Sequence, residues 1–318
     1  MDRRRIDVHA HFLPEAYRGE LLAAGLSVVD GMPLPTWDAA GHVDLMDRLG
    51  IATSLLSVSS PGVDFSDLAT ARRVARQVND DGRRVVEEHP GRFGLFGSLP
   101  LMDVGAAVAE LDHCYDDLDV DGVVLLTHTG DRYLGDPELE PLFDELDRRR
   151  ARVFVHPTSP VCWEPVSFGR TRAMVEFLFD TSRAVVNMVL NGTVARHPDI
   201  ELIVPHAGAT LPVLADRVAA FAFVLQDLDP ATDVYRDLGR LHFDLAGFPV
   251  PRQLDAVLAL TTADHLHYGS DFPFTPDAVV GMLADALDPV EGAAGPVVGG
   301  LRANTERLFP RLAGSSGA

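Results

Sequence analysis

With 318 residues, 47% of them hydrophobic, the chain has enough apolar matter for a large core and reads as a soluble, enzyme-sized globule of one domain. A formal charge of −20 removes nucleic acid from the candidate partners, because affinity for phosphates is built from Lys and Arg. No apolar run approaches the roughly 20 residues that span a bilayer, and the basic start Met1–Arg5 leads into a histidine-bearing strand, so no membrane partner and a cytoplasmic location are expected.

Taken in order, short β-rich runs alternate with longer polar, Ala- and Arg-rich stretches of helical character, the pattern of βα units around a parallel sheet. The predicted strands lie at 6–12, 53–58, 92–99, 122–127, 152–156, 201–206, 241–245 and 265–269. Predicted helices lie at 66–88, 104–118, 138–149, 171–196, 211–225 and 252–260, with another after Pro276 and one at 301–308. Eight strands in this alternation define an α/β fold, a single (β/α)₈ TIM barrel over residues 1–313. Residues 14–36, rich in Gly and Pro, read as a loop insertion after the first strand, either a lid or an ordinary surface excursion. Residues 314–318 read as a disordered tail.

In such a barrel the active site sits at the carboxyl ends of the strands. The first strand ends in His9 and His11, two residues apart and therefore on one face. That pair alone is as readily structural as functional. The fifth strand, however, ends in His156, and the eighth runs into Asp271, so three histidines and a carboxylate share one rim. Such a set suits one borderline divalent ion, Zn²⁺ foremost and Mn²⁺ next. His206 ends the sixth strand and stands beside them. All 27 basic residues are Arg, and the absence of Lys excludes Schiff-base chemistry, a P-loop and a carboxylated lysine bridging two metals. The two cysteines, Cys114 and Cys162, form no disulfide framework. His128 falls at the same rim and is a candidate substrate contact, while Trp37, Trp163 and Phe274 are candidate walls for a flat ring. His242 and His267 read as interior residues, and His89, His113, His197 and His265 as surface residues.

Six blocks, IDVHAHFLPEAY, YLGDPELEPLFDEL, VFVHPT, FDTSRAVVNMVLNGTVARHPDIELIVPHAGATLP, HYGSDFPFTP and NTERLFP, resemble the amidohydrolase superfamily. Within it they are similar to the decarboxylase branch that includes aminocarboxymuconate-semialdehyde, γ-resorcylate and 6-methylsalicylate decarboxylases, and the YLGDP and DFPFTP blocks look nearest to the last. The resemblance implies a barrel, a homodimer, one Zn²⁺ or Mn²⁺ held by His9, His11, His156 and Asp271, and a catalytic role for His206. It also implies that Arg217, eleven residues after His206, reaches across a dimer to the neighbour's substrate carboxylate. Where the semialdehyde decarboxylases carry a substrate-binding arginine, this chain has His42, which counts against a dicarboxylate and for a monocarboxylic phenolic acid.

The expected activity is therefore metal-dependent, non-oxidative decarboxylation of a 2-hydroxybenzoate-type, 6-methylsalicylate-like acid. The metal would chelate carboxylate and ortho hydroxyl, and Asp271 would protonate the ring carbon as CO₂ leaves. A mononuclear hydrolase of a lactone or amide, using the same site to activate water, is the alternative.

Overall fold

The computed structural model describes residues 5–224, 229–291 and 300–314. Eight strands follow one another round a barrel in chain order: β1 (Arg5–His11), β2 (Ile51–Ser57), β3 (Phe93–Ser98), β4 (Gly122–Leu126), β5 (Arg152–His156), β6 (Glu201–Val204), β7 (His242–Asp244) and β8 (Leu266–His267). Each pairs in parallel with the next. The barrel closes where Asp7 and Ala10 of β1 bridge Tyr268 and Phe272, beyond the end of β8. Along that seam Val8 N–H donates to Tyr268 O at 2.9 Å and His11 N–H to Phe272 O at 2.7 Å.

The strands are apolar on both faces because both are covered. Ile6, Val8, Leu55, Phe96, Val124, Phe154 and Ile203 fill the interior, and Leu308, Phe309 and Leu312 plug its amino end. A larger apolar shell lies between strands and helices. The longer helices are α1 (Glu15–Ala23), α2 (Ala39–Leu49), α3 (Leu68–Glu88), α4 (Val104–Asp112), α5 (Glu140–Arg148), α6 (Glu176–Leu190), α7 (Leu211–Val224), α8 (Gln253–Leu260), α9 (Asp277–Glu291) and α10 (Gly300–Leu308). Local chemistry sets their ends. Asp67 accepts Thr70 N–H at the start of α3, Asp38 accepts Gly41 N–H at the start of α2, and α2 stops at Gly50 with φ 66°. Each such cap is worth about 1 kcal/mol.

The structure departs from the sequence reading in several places. The insertion after β1 contains α1 and a hairpin of Val28–Val29 with Met32–Pro33. Helices α1 and α2 were not foreseen. The single helix predicted over 171–196 is broken into three pieces, the last break falling at Gly192, whose φ is 73°. His197, expected at the surface, is buried and bonded through Nδ1 to Thr193 O. Leu225, the predicted end of one helix, and residues 315–318 of the predicted tail lie outside the described residues.

Candidate metal centre and cavity

A β-bulge aims the first pair of histidines. On β1, Asp7 pairs with Ser54 and Ala10 with Leu56, so three steps on one strand match two on the other. Ile6 and Val8 belong to the interior below the extra residue, and His9 packs its ring 4.8 Å from interior Phe154 above it. His156 ends β5 and sits two residues past Phe154, on the same face. Asp271 follows β8 in the seam, its own N–H donating to His9 O at 2.7 Å and its φ at 58°, a left-handed conformation Asp tolerates.

One ligand atom from each of His9, His11, His156 and Asp271 falls within a group spanning no more than 4.8 Å. Every histidine in it has its other ring nitrogen occupied. His9 Nδ1 meets Asp244 Oδ2 at 2.8 Å, His11 Nδ1 meets Ser57 Oγ at 2.9 Å, and His156 Nδ1 meets Pro157 O at 2.7 Å. A backbone carbonyl and a carboxylate only accept, and Ser57 Oγ donates onward to Ala10 O, so Nδ1 carries the proton in all three rings. Each Nε2 is left to point inward, and those of His9 and His11 are buried without a hydrogen-bond partner. Buried ring nitrogens left without a partner are costly unless something binds them. Three neutral imidazoles and a carboxylate are the donor set of a divalent transition metal, so these residues fit one such ion.

The charges agree. Burial alone would lower the His9 pKa, but Asp244 and Asp271 on either side override it and lift it to about 10. His9 therefore holds a proton more tightly than an ordinary histidine, and a metal ion would have to displace it. Burial keeps His11 and His156 below the usual histidine range. Asp271 would be raised by burial, yet His9, His11 and His206 hold it well below the ordinary carboxylate range. His206 Nε2 stands 3.9 Å from Asp271 Oδ2, on a left-handed turn in which His206, Ala207, Gly208 and Ala209 all have positive φ. Asp244 fixes that turn, since its Oδ1 accepts the N–H of both His206 and Ala246 at 3.0 Å.

A cavity of about 200 Å³ opens over the cluster, lined by His156, His206 and Asp271 and walled by Val29, Phe177 and Phe274. No Arg lines it among the described residues. Phe274 also sets its ring 5.6 Å from that of His11. The other substrate candidates are elsewhere. His42 is buried, accepts the Trp37 indole N–H at 3.0 Å through Nδ1 and packs on Phe93 and Phe272, so this pair braces the core beneath the rim. His128 is buried against Gly130 O and Ser159 O. Arg217 is exposed on α7, its guanidinium 4.9 Å from the Phe221 ring centroid. Trp163 stacks under Arg172, 4.1 Å away.

Four residues escaped the sequence reading: Asp244, which holds both His9 and the His206 turn; Ser57, which orients His11; Ser59, whose Oγ lies 3.4 Å from His156 Nε2; and Asp30, which lines the cavity from the insertion. The available signal for Asp244 was a lone carboxylate inside the strand-like run Leu241–Leu245.

Fold and cluster together define a (β/α)₈ barrel of the kind that carries a single metal at its carboxyl rim. The chain belongs to the amidohydrolase family, whose model matches residues 6–291, and it stands in the decarboxylase branch of that family. It is 33% identical over 321 residues to a 6-methylsalicylic acid decarboxylase of Aspergillus aculeatus, covering 97% of this chain and 96% of that one. The crystal structure of an amidohydrolase II superposes with a TM-score of 0.89 at 32% identity, over 96% of this chain and 99% of the other. A dihydroxybenzoic acid decarboxylase from Polaromonas, solved with manganese and 2-nitroresorcinol, has the same fold, with a TM-score of 0.81 at 20% identity over 98% and 97% of the two chains.

Proposed function

We propose that this protein is a metal-dependent, non-oxidative decarboxylase of a 2-hydroxybenzoate-type acid, 6-methylsalicylate-like in its substitution. The observation that carries the reading is the convergence of three Nε2 atoms and Asp271 within 4.8 Å under a cavity with apolar walls. The similarity to a 6-methylsalicylic acid decarboxylase supports the substrate class. Held by His9, His11, His156 and Asp271, one Zn²⁺ or Mn²⁺ supplies Lewis acidity and a chelation point for the substrate's carboxylate and ortho hydroxyl.

The chain's own residues then do the proton work. Asp271 is kept as a carboxylate by its histidine neighbours, so the proton it delivers has to arrive with the substrate. The ortho hydroxyl gives that proton to Asp271, which passes it to the ring carbon bearing the carboxylate. The carbon–carbon bond breaks, its electron pair restores the aromatic ring, and CO₂ leaves. Solvent returns a proton to the phenolate as product departs. His206, its Nε2 3.9 Å from Asp271 Oδ2, is placed to steady the developing phenolate and the Asp271 charge, and Phe177 and Phe274 hold the ring flat and dry.

A homodimer completes this reading. Among the described residues no Arg lines the cavity, whereas Arg217 stands on α7 among exposed Val213, Phe221 and Phe223. A second copy covering these side chains brings Arg217 to its neighbour's site. Two free cysteines, Cys114 buried and Cys162 exposed, suit a reducing cytoplasm.

The test is to load the protein with Mn²⁺ or Zn²⁺, supply a panel of hydroxybenzoic acids and measure CO₂. The Asp271→Asn variant is expected to keep bound metal and lose turnover by at least about a hundredfold. Retained turnover would remove Asp271 as the proton donor. Oxygen from isotope-labelled water appearing in an acid product, with no CO₂, would favour the hydrolase instead.

A further inference from the structure

The insertion after β1 ends in a two-residue hairpin corner, Asp30 and Gly31, with φ of 53° and 83°. Two successive positive values are what such a corner demands, and Asp followed by Gly meets the demand without strain. The corner is clamped. Asp30 O accepts Arg172 N–H at 3.0 Å and the Thr171 hydroxyl at 3.1 Å, while Ser159 donates its hydroxyl to Asp30 Oδ1. Ser159 is itself held by Arg172 Nε at 3.0 Å. Asp30 is thus only 8% exposed and fixed in place, yet it lines the same cavity as His156, His206 and Asp271. Its second oxygen, Oδ2, has no hydrogen-bond partner among the described residues.

A rigid carboxylate with one unpartnered oxygen, in the lining of a cavity walled by Val29, Phe177 and Phe274, asks for a donor. It also repels like charge, the more so where water is scarce. We propose that Asp30 determines specificity: on a 6-methylsalicylate-like ring held at the metal centre it draws in a further hydroxyl that donates a hydrogen bond and turns away a second carboxylate. This rests on the decarboxylase reading only in taking a ring acid as the occupant. The mechanism does not use Asp30, and no catalytic step passes through it.

The experiment measures binding, not turnover, so that it stands apart from the test of the reaction. Manganese-loaded protein is titrated calorimetrically with two series of 2-hydroxybenzoates, one bearing a second hydroxyl and the other a second carboxylate at each ring position in turn. The wild type is expected to favour the hydroxyl over the carboxylate by about tenfold or more at one position. Asp30→Asn keeps the turn and an acceptor for Ser159 but swaps charge for an amide, and it should abolish or invert that ratio. Asp30→Gly also suits the corner and should abolish it. A ratio unchanged in both variants overturns the proposal, as does a wild type that binds neither series. Failure of every acid to release CO₂ would overturn the decarboxylase reading and leave the ratio to judge Asp30.

Discussion

Replacing Asp244 by Asn should weaken metal binding although Asp244 is no ligand. In the wild type, Oδ2 accepts His9 Nδ1–H at 2.8 Å and Oδ1 accepts two backbone N–H groups, of His206 and Ala246, at 3.0 Å. An asparagine has one acceptor and one donor end. If its oxygen faces His9, its NH₂ confronts two N–H groups at the His206 turn. If it is flipped, the NH₂ confronts His9 and drives the ring toward the tautomer with its lone pair on Nδ1, away from the metal. Either way a fully buried group loses its partner, at about 1–3 kcal/mol, and the negative charge that makes His9 a stronger donor is gone. Metal affinity should fall about 10- to 100-fold, equivalent to about 1.4–2.7 kcal/mol. Competition against a chelator of known affinity for Mn²⁺ reads this directly, with the thermal midpoint of the metal-free protein as the control for folding. An affinity within about twofold of wild type in a folded variant would refute the orienting role.

Two further outcomes follow from the buried histidines. Burial foremost, with His11 and the Arg92 cation nearby, holds His42 down at about 3 against an ordinary 6.5, so the unfolded chain binds its proton first as pH falls. Stability tied to His42 is complete above about pH 6.5 and is lost progressively down to about pH 3, amounting to about 2 kcal/mol by pH 5. His42→Phe should flatten the pH dependence of the urea midpoint between pH 7 and 5 by that amount, and an unchanged slope would sink the assignment. At the metal centre, the raised pKa of about 10 at His9 means that near pH 7 the ion must displace a proton. Calorimetric metal titrations in buffers of different ionisation heat should report release of about one proton, and affinity should rise with pH below about 10. Heats independent of buffer would contradict the protonated His9.

The barrel and the convergence of His9, His11, His156 and Asp271 were legible because they obey rules local in sequence. Each strand is a short apolar run, and each of the four ends one or follows it closely, as His156 ends Val153–Val155 and Asp271 follows Tyr268. What stayed hidden depends on distant contacts or on small signals passed over. The Asp30–Gly31 pair between Val28–Val29 and Met32–Pro33 is a hairpin signature, and Asp38 with Gly50 brackets α2 as cap and stop, but a stretch rich in Gly and Pro drew attention to neither. Asp244 could not be tied to His9 from sequence, since 235 residues separate them and only closure of the barrel brings them together. Trp37 was read as a wall for a flat ring and His42 as standing at a family's arginine position. The Trp37–His42 hydrogen bond and the rings of Phe93 and Phe272 around His42 are contacts that no sequence pattern announces.

The seam between β1 and the stretch after β8 has a consequence for how the protein comes into being. Ser270 N–H reaches Asp7 across 263 residues of chain, and on the same seam Asp271 sits against His9. A metal held there would act as a clasp between the barrel's first strand and its last, so a chain still emerging from the ribosome would own three histidines but no complete grip. Free metal at a hundred times the dissociation constant would fasten the ring by about 2.7 kcal/mol. Binding of an ion would thus certify that the two ends of the barrel have met.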